Sequence, residues 1–267
     1  MYLLDEAGIK LNKSKRSLLL QAKGLPVEVL FMRDDDIPAA VANHIADAGI
    51  VGENEYVEKG GQANLVKRLG FSKCRLSLAI PKDDEYGGLQ WFHRKTVATS
   101  YPNILKQFTE SHNVLTGISV ISGSVEIAPA IGVADAIFDI VSSGSTLASN
   151  HLKEVEVVMQ SEAVLIAHSC ISEEKASTLE ELIFRFDAVL AAEGKKYVML
   201  NAPKSKLGEI ISLLPGMKSP TITPLADEHW VSVQSVIAET HFWEIIGKLK
   251  GLGAEGILIL PIEKMIL

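Results

Sequence analysis

Residues 136–147, Ala-Ile-Phe-Asp-Ile-Val-Ser-Ser-Gly-Ser-Thr-Leu, constrain this chain more than any other stretch. The first half is apolar and β-branched and reads as a buried strand. It then breaks into small hydroxyl residues and a glycine, after which Thr146-Leu147-Ala148-Ser149 can open a short helix. Small side chains let backbone N–H groups approach an anion, hydroxyls donate to it, and a helix start adds a favourable dipole. The same residues would also serve as an ordinary strand-to-helix turn with a Ser or Thr cap.

The surroundings of this stretch are strongly periodic. Strands are predicted at 27–33, 48–53, 74–81, 95–99, 117–121, 154–159 and 163–167. Helices intervene, one capped by Asp34-Asp35-Asp36 with Ile37, Val41 and Ile45 at helical spacing, one opened by Ser100 and Pro102, and a long one over 172–190. Alternating strands and helices imply mainly parallel sheets covered by helices. Residues 1–8 read as the end of a helix stopped by Gly8. The polar run 82–88 marks a crossing into a second lobe. After Glu193-Gly194, and punctuated by Pro215-Gly216, the order becomes βαββαβ, a ferredoxin-like unit. The domains expected are therefore 1–83 with 161–193 as one lobe, 84–160 as a second, and 194–267 as a small α+β domain.

Composition narrows the function. At 267 residues, 47% hydrophobic and 22% charged, the chain can form several real cores. A net charge of -7 argues against nucleic-acid or anionic-membrane partners. No apolar run approaches the ~20 residues that span a bilayer. Two cysteines, Cys74 and Cys170, make no disulfide framework, and no basic-then-apolar leader opens the sequence, so a cytoplasmic location is expected. Gly251-Leu252-Gly253-Ala254-Glu255-Gly256 matches G-x-G-x-x-G, but a helix precedes it and a strand follows, the reverse of a dinucleotide site. No P-loop, H-E-x-x-H or G-x-S-x-G is present, and the seven histidines are scattered. Polar residues instead gather at strand ends: Arg33 to Asp36, Gly52-Glu53-Asn54, Thr99-Ser100-Tyr101, and Gly123-Ser124-Val125-Glu126. Ligands of open α/β sheets bind at such ends, so these point to a cleft.

The same residues carry a family resemblance. Arg33-Asp34-Asp35-Asp36-Ile37-Pro38, Gly52-Glu53-Asn54, Cys74-Arg75-Leu76-Ser77-Leu78-Ala79 and Ala98-Thr99-Ser100-Tyr101-Pro102 match in order. So do Gly123-Ser124-Val125-Glu126-Ile127-Ala128-Pro129, residues 134–147, and Ser219-Pro220-Thr221-Ile222. The chain resembles the ATP phosphoribosyltransferases, first enzymes of histidine biosynthesis, in their long, histidine-regulated form. The resemblance implies an α/β catalytic part of two lobes, like type II periplasmic binding proteins, and a C-terminal ferredoxin-like (ACT-like) domain that senses histidine. It implies that adenine N1 of ATP displaces pyrophosphate from phosphoribosyl pyrophosphate, with Mg2+ present, in a cytoplasmic homohexamer whose smaller unit is a dimer.

Residue by residue, Ser142, Ser143, Gly144, Ser145 and Thr146 would cradle the ribose 5-phosphate. Asp139 and Glu126 would act near the ribose, Glu126 also toward the metal. Arg33, Glu53, Arg75 and Tyr101 would contact substrate, with Arg33, Arg75 and Tyr101 on the nucleotide side. Histidine would sit near Asn201, Met217, Ser219, Thr221 and Gly256, with Asn201 standing where some members carry an acid. Leaving pyrophosphate puts positive charge on the ribose ring, so positioning and charge compensation suffice and no covalent nucleophile is required. Family members also open with a strand and a basic Lys/Arg-Gly loop that have no counterpart before Met1, so supplying an upstream strand is expected to raise activity and solubility. The alternative is an impaired or non-catalytic effector-binding protein of the same fold, which would bind without turnover. A periplasmic solute-binding protein is disfavoured by the absent leader.

Overall fold

A computed structural model describes residues 2–11, 17–214 and 216–267. Met1 of the first expected helix and Pro215 of the expected Pro215-Gly216 turn lie outside them. Compactness separates two units, Met1–Val29 with Ser177–Leu267, and Leu30–Ala176.

The chain enters through α1 (Tyr2–Glu6), β1 (Lys10–Leu11), β2 (Leu19–Lys23) and β3 (Glu28–Leu30). These strands form a small sheet in chain order. Gly8 ends α1 at φ 77°, the left-handed conformation that a helix stop needs and that glycine adopts without strain.

The unit Leu30–Ala176 contains α2 (Ile37–Ala42), β4 (Ala48–Gly52), α3 (Glu53–Glu58), β5 (Asn64–Arg68) and β6 (Cys74–Pro81). It continues through β7 (Thr96–Thr99), α4 (Pro102–Ser111), β8 (Gly117–Val120), β9 (Ala136–Val141), α5 (Ser145–Ser149), β10 (Leu152–Ser161) and β11 (Ala163–Ala167). It holds two sheets. One is three-stranded, β4-β11-β5; the other is five-stranded, β10-β6-β9-β7-β8. The larger sheet is buried on both faces. Leu76, Leu78, Val97 and Phe138 join Phe92 and Leu105 on one side, while Ala79, Ala98, Ile137 and Val141 meet Val125, Leu147 and Leu152 on the other. Such strands read as continuous apolar runs, which is why 74–81 and 136–141 are apolar on both parities.

The expectation of mainly parallel sheets is corrected. Only β7 pairs in parallel within this unit's two sheets, with β8 and β9, whereas β6 runs antiparallel to both β9 and β10, and β11 antiparallel to β4 and β5. The long β6 and β10 lie side by side without an intervening helix. Their register slips between Glu154 and Glu156 and again between Val157 and Met159, which marks two irregularities of the β-bulge kind. The 83/84 lobe boundary falls just past β6, a strand that belongs to the larger sheet.

Two local expectations also change. The helix begun at Ile37 stops at Ala42 rather than reaching Ile45: the His44 N–H turns to the Val41 carbonyl and the Ile45 N–H to the Ala40 carbonyl, the wrap-back of a left-handed C-terminal cap, while the Asn43 side-chain amide donates to the Ala39 carbonyl. His44 then takes φ 58°, and Ile45 is left 69% exposed. Ser100 does not cap α4. Its hydroxyl donates to the Ile121 carbonyl (2.6 Å), and the first amides of α4 are met from elsewhere.

The C-terminal part comprises α6 (Glu173–Ala192), β12 (Lys195–Pro203), α7 (Leu207–Leu213), β13 (Thr221–Pro224), β14 (Trp230–Ala238), α8 (Glu239–Gly251) and β15 (Glu255–Pro261). The strand order β13-β14-β12-β15, antiparallel throughout, is the ferredoxin-like arrangement read from the βαββαβ rhythm. Val198, Leu200, Val233, Ile210, Phe242, Ile245 and Leu249 form its core. The G-x-G-x-x-G run is the turn from α8 into β15, with Gly253 and Gly256 at positive φ, and it opens no helix.

Candidate active site

β9 is central in its sheet and carries one polar side chain, Asp139, opposite Ser77 of β6. Where β9 ends, the chain turns through Ser142 and Ser143 to Gly144 at φ 79°, which caps α5. Serine or alanine would be strained at that φ, so the glycine is required by the turn itself. The Ser143 hydroxyl lies 3.0 Å from the Ser145 hydroxyl and accepts the Ser145 N–H (3.4 Å). Ser142, Ser143, Ser145 and Thr146 are all exposed, and nothing crowds the open side of Gly144. The loop is therefore a shallow, hydroxyl-lined cup at a strand end.

Three other strand ends converge on the same region. Tyr101 follows β7, is buried, and accepts a hydrogen bond at its Oη from Asn54 Nδ2 (3.1 Å). Asn54, at the start of α3, is itself fixed: its Oδ1 accepts from Ser161 Oγ (2.8 Å), and that hydroxyl accepts the Asn54 N–H (3.1 Å). Glu55 hydrogen-bonds Tyr101 as well. These contacts join the end of β4, the end of β10 and the end of β7, and so bring the two sheets of the unit together.

The charges gathered here are mostly acidic. Burial pushes the Asp139 carboxyl above its usual range, Glu126 pushes it further, and the Ile140 N–H partly restores it. Burial likewise raises Glu55, helped by Asp34 and Asp35 and opposed by the Tyr101 hydrogen bond. The Tyr101 hydroxyl is raised in turn by burial and by Glu55 and Asp139, which keeps it protonated and a donor. Asp34 and Asp35 thus act on Glu55 and Glu126 acts on Asp139, while Glu55 and Asp139 both act on Tyr101 between them. Asp34 to Asp36 make no side-chain cap to the helix they precede, so capping does not explain them.

The remaining expected residues fall in three groups. Arg33 is exposed at the end of the β3 segment, with no side-chain partner among the described residues. Glu53 is ion-paired to Arg68, whose Nε donates to it at 3.3 Å. Arg75 is engaged within the protein: Nε and Nη2 donate to the two oxygens of Glu154 (2.5 and 2.6 Å), and Nη1 donates to the Ser142 carbonyl (3.0 Å).

In the C-terminal sheet, Asn201 stands opposite Ser232 and Glu255, and its amide lies against Gly256. Met217 lines an open cavity of about 550 Å³ with Tyr197, Val236 and Pro261 to Met265. Ser219 belongs to the loop over Gly216, under which the Ser235 hydroxyl is buried without a partner among the described residues, and Thr221 is exposed on β13. Sequence reasoning gave no place at the site to Glu55, Ser161 and Glu154, and quoted Asn54 and Ser77 without a role. Their partners lie far away in the chain, and one sequence carries no signal of that pairing.

An α/β protein with a hydroxyl-lined loop beside half-buried carboxylates, followed by a ferredoxin-like domain, fits the class that handles phosphorylated small molecules. The comparisons make this particular. The family model described as ATP phosphoribosyltransferase matches residues 33–188, and that described as HisG, C-terminal domain, matches residues 192–264. A protein of Parabacteroides distasonis named ATP phosphoribosyltransferase is 74% identical over all of this chain and 94% of its own length. One from Cytophaga hutchinsonii, with the same name, is 54% identical over 99% of this chain and 92% of its own. Among solved structures, a chain of the ATP phosphoribosyl transferase (HisG:HisZ) complex from Thermotoga maritima is similar, with 26% identity and a TM-score of 0.59. That similarity covers 70% of this chain and 91% of the other. The chain belongs to the ATP phosphoribosyltransferase family, and with it to the pentosyltransferases that take the first step of histidine biosynthesis.

Proposed function

We propose that this chain joins ATP to phosphoribosyl pyrophosphate at the cleft between β9 and α3. The observation that carries the reading is Asp139, half-buried beside Glu126 and leading directly into the Ser142–Thr146 loop. The loop's hydroxyls and amides hold the 5-phosphate. The adenine N1 lone pair forms a bond to ribose C1 as the C1–oxygen bond to pyrophosphate breaks, and pyrophosphate leaves with that electron pair. The carboxylates of Asp139 and Glu126 face the positive charge that grows on the ring. Tyr101, held by Asn54, packs the nucleotide side. No side chain forms a covalent bond to the sugar.

Mg2+ suits this donor set. Among the described residues no three acids or histidines cluster into a protein-only metal cage, while Glu126 adds to the raised proton affinity of Asp139, so a cation shared with substrate phosphates would find favourable charge here. Magnesium is commonly held by one or two carboxylates together with substrate phosphates, and when bound it neutralises leaving pyrophosphate. Glu126 would hold it here.

Histidine binding by the last domain, assembly into a homohexamer from dimers, and a cytoplasmic location complete the reading. The apolar, exposed Leu258 and Leu260 on edge strand β15 are surfaces that assembly would cover. Among the described residues no helix is long and apolar enough to cross a membrane. Asn201→Asp is expected to lower the histidine concentration for half-inhibition about fivefold, since an ammonium group gains roughly 1 kcal/mol from a charged over a neutral acceptor. Inhibition curves at fixed substrate measure this. Incubating the purified chain with both substrates and following adduct formation tests the whole reading; binding without turnover would favour the effector-binding alternative.

A further inference from the structure

We propose that Arg75 and Glu154 form a positioning pair that sets the shape of the phosphate loop, a role that rests on the reading of that loop given above. Three strands meet at the pair. Arg75 lies near the start of β6, opposite Val141 of β9 on one side and Gln160 of β10 on the other. Its guanidinium reaches along the ribbon to Glu154, which stands at the first register slip of β10. Both carboxylate oxygens are taken by Nε and Nη2 at 2.5 and 2.6 Å, a bidentate fork that fixes the plane of the guanidinium. Ser77 Oγ donates a third hydrogen bond to the same carboxylate at 2.7 Å. So held, Nη1 donates to the carbonyl of Ser142, the first residue beyond β9 (3.0 Å).

The consequence for the loop is directional. A peptide whose carbonyl is tied back to the sheet turns its neighbouring amide the other way, toward the open side where the hydroxyls of Ser143, Ser145 and Thr146 lie. Ser77 stands opposite Asp139 in the register, so the brace and this acid share one row across the sheet. The Arg75 fork and the Ser77 hydroxyl hold the Glu154 carboxyl below the usual carboxylate range, and the pair therefore stays ionised wherever the enzyme would work. Arg75 acts through the loop without touching the nucleotide.

The test uses the full chain with Arg75→Lys, Glu154→Gln, and the exchanged double variant R75E/E154R. A lysine keeps the charge and loses the fork. The exchange restores an ion pair and puts a carboxylate against the Ser142 carbonyl. With the parent chain turning over, the single variants are expected to raise KM for phosphoribosyl pyrophosphate about tenfold, the scale of one charge-assisted hydrogen bond, with KM for ATP unchanged. The exchange is expected to recover the melting temperature lost by Glu154→Gln without recovering that KM. Parental KM values in the single variants, equal rises for both substrates, or full recovery in the exchange would each overturn the pairing with the loop. A parent chain that binds phosphoribosyl pyrophosphate but forms no adduct sinks the enzymatic reading instead. Calorimetry with the same ligand then decides the brace by the same tenfold criterion.

Discussion

Asp139→Asn is expected to lower kcat by about 10²- to 10³-fold, the scale of removing one group aimed at developing charge, while making the folded chain more stable. The two effects share a cause. Asp139 is half-buried, beside Glu126, and its carboxyl is held above its usual range. A raised acid is a group whose ionised form the fold disfavours, so at neutral pH the carboxylate costs stability that the neutral amide does not. Asparagine keeps the acceptor that the Ile140 N–H uses at 2.8 Å and removes the charge. The sign with pH follows. Below about pH 4, the unfolded value for an aspartate, both forms are neutral and the variant has no advantage. The advantage grows as pH rises through the folded value and is constant above it. Thermal melts at pH 4 and pH 7.5, set beside steady-state rates, measure both halves. Equal melting at the two pH values, or an undiminished rate, would contradict the placing of this charge.

Glu58→Ala should be the most damaging single change to stability away from the loop, by about 3 kcal/mol, or roughly 5–10 °C in Tm. Glu58 ends α3 and is 6% exposed. Its two carboxylate oxygens accept the N–H groups of Asn103 and Ile104, each at 3.0 Å, and its own carbonyl accepts the Asn103 amide. The opening amides of α4 therefore have their cap from another helix, and alanine would leave both unsatisfied. Glu58→Gln keeps one good acceptor and should lose about half as much. Because α3 follows β4 and α4 follows β7, the same contacts tie the two sheets that meet at Tyr101. Denaturant unfolding of the three proteins gives the ranking, and a KM rise for both substrates in Glu58→Ala would report the loosened sheets.

These cases also separate what a single sequence reveals from what it hides. The β9–loop–α5 unit was legible because its signals are local: a β-branched run, a glycine that must take positive φ, and hydroxyls next to it. The βαββαβ order of 194–267 was legible for the same reason, since turn residues and periodicity fix each element in place. The cap of α4 was not, because Ser100 looked like a cap and the true one lies 45 residues away on α3. Nor was the pairing of Arg75 with Glu154, which spans 79 residues. The overestimate of parallel pairing has a similar origin. A strand–helix alternation predicts crossovers, yet β6 and β10 are neighbours through pairing between distant segments, a relation that no local pattern encodes.

The two slips of register in β10 carry an implication for how this scaffold tolerates change in length. β9 is paired without interruption to β6 and to β7, so one residue inserted or removed there would invert side-chain parity and throw Asp139 to the opposite face. Between Glu154 and Met159 the alternation is already broken twice, and an added or missing residue is accommodated by migration of an existing irregularity. Indels among kindred sequences should therefore collect in β10 and spare β9.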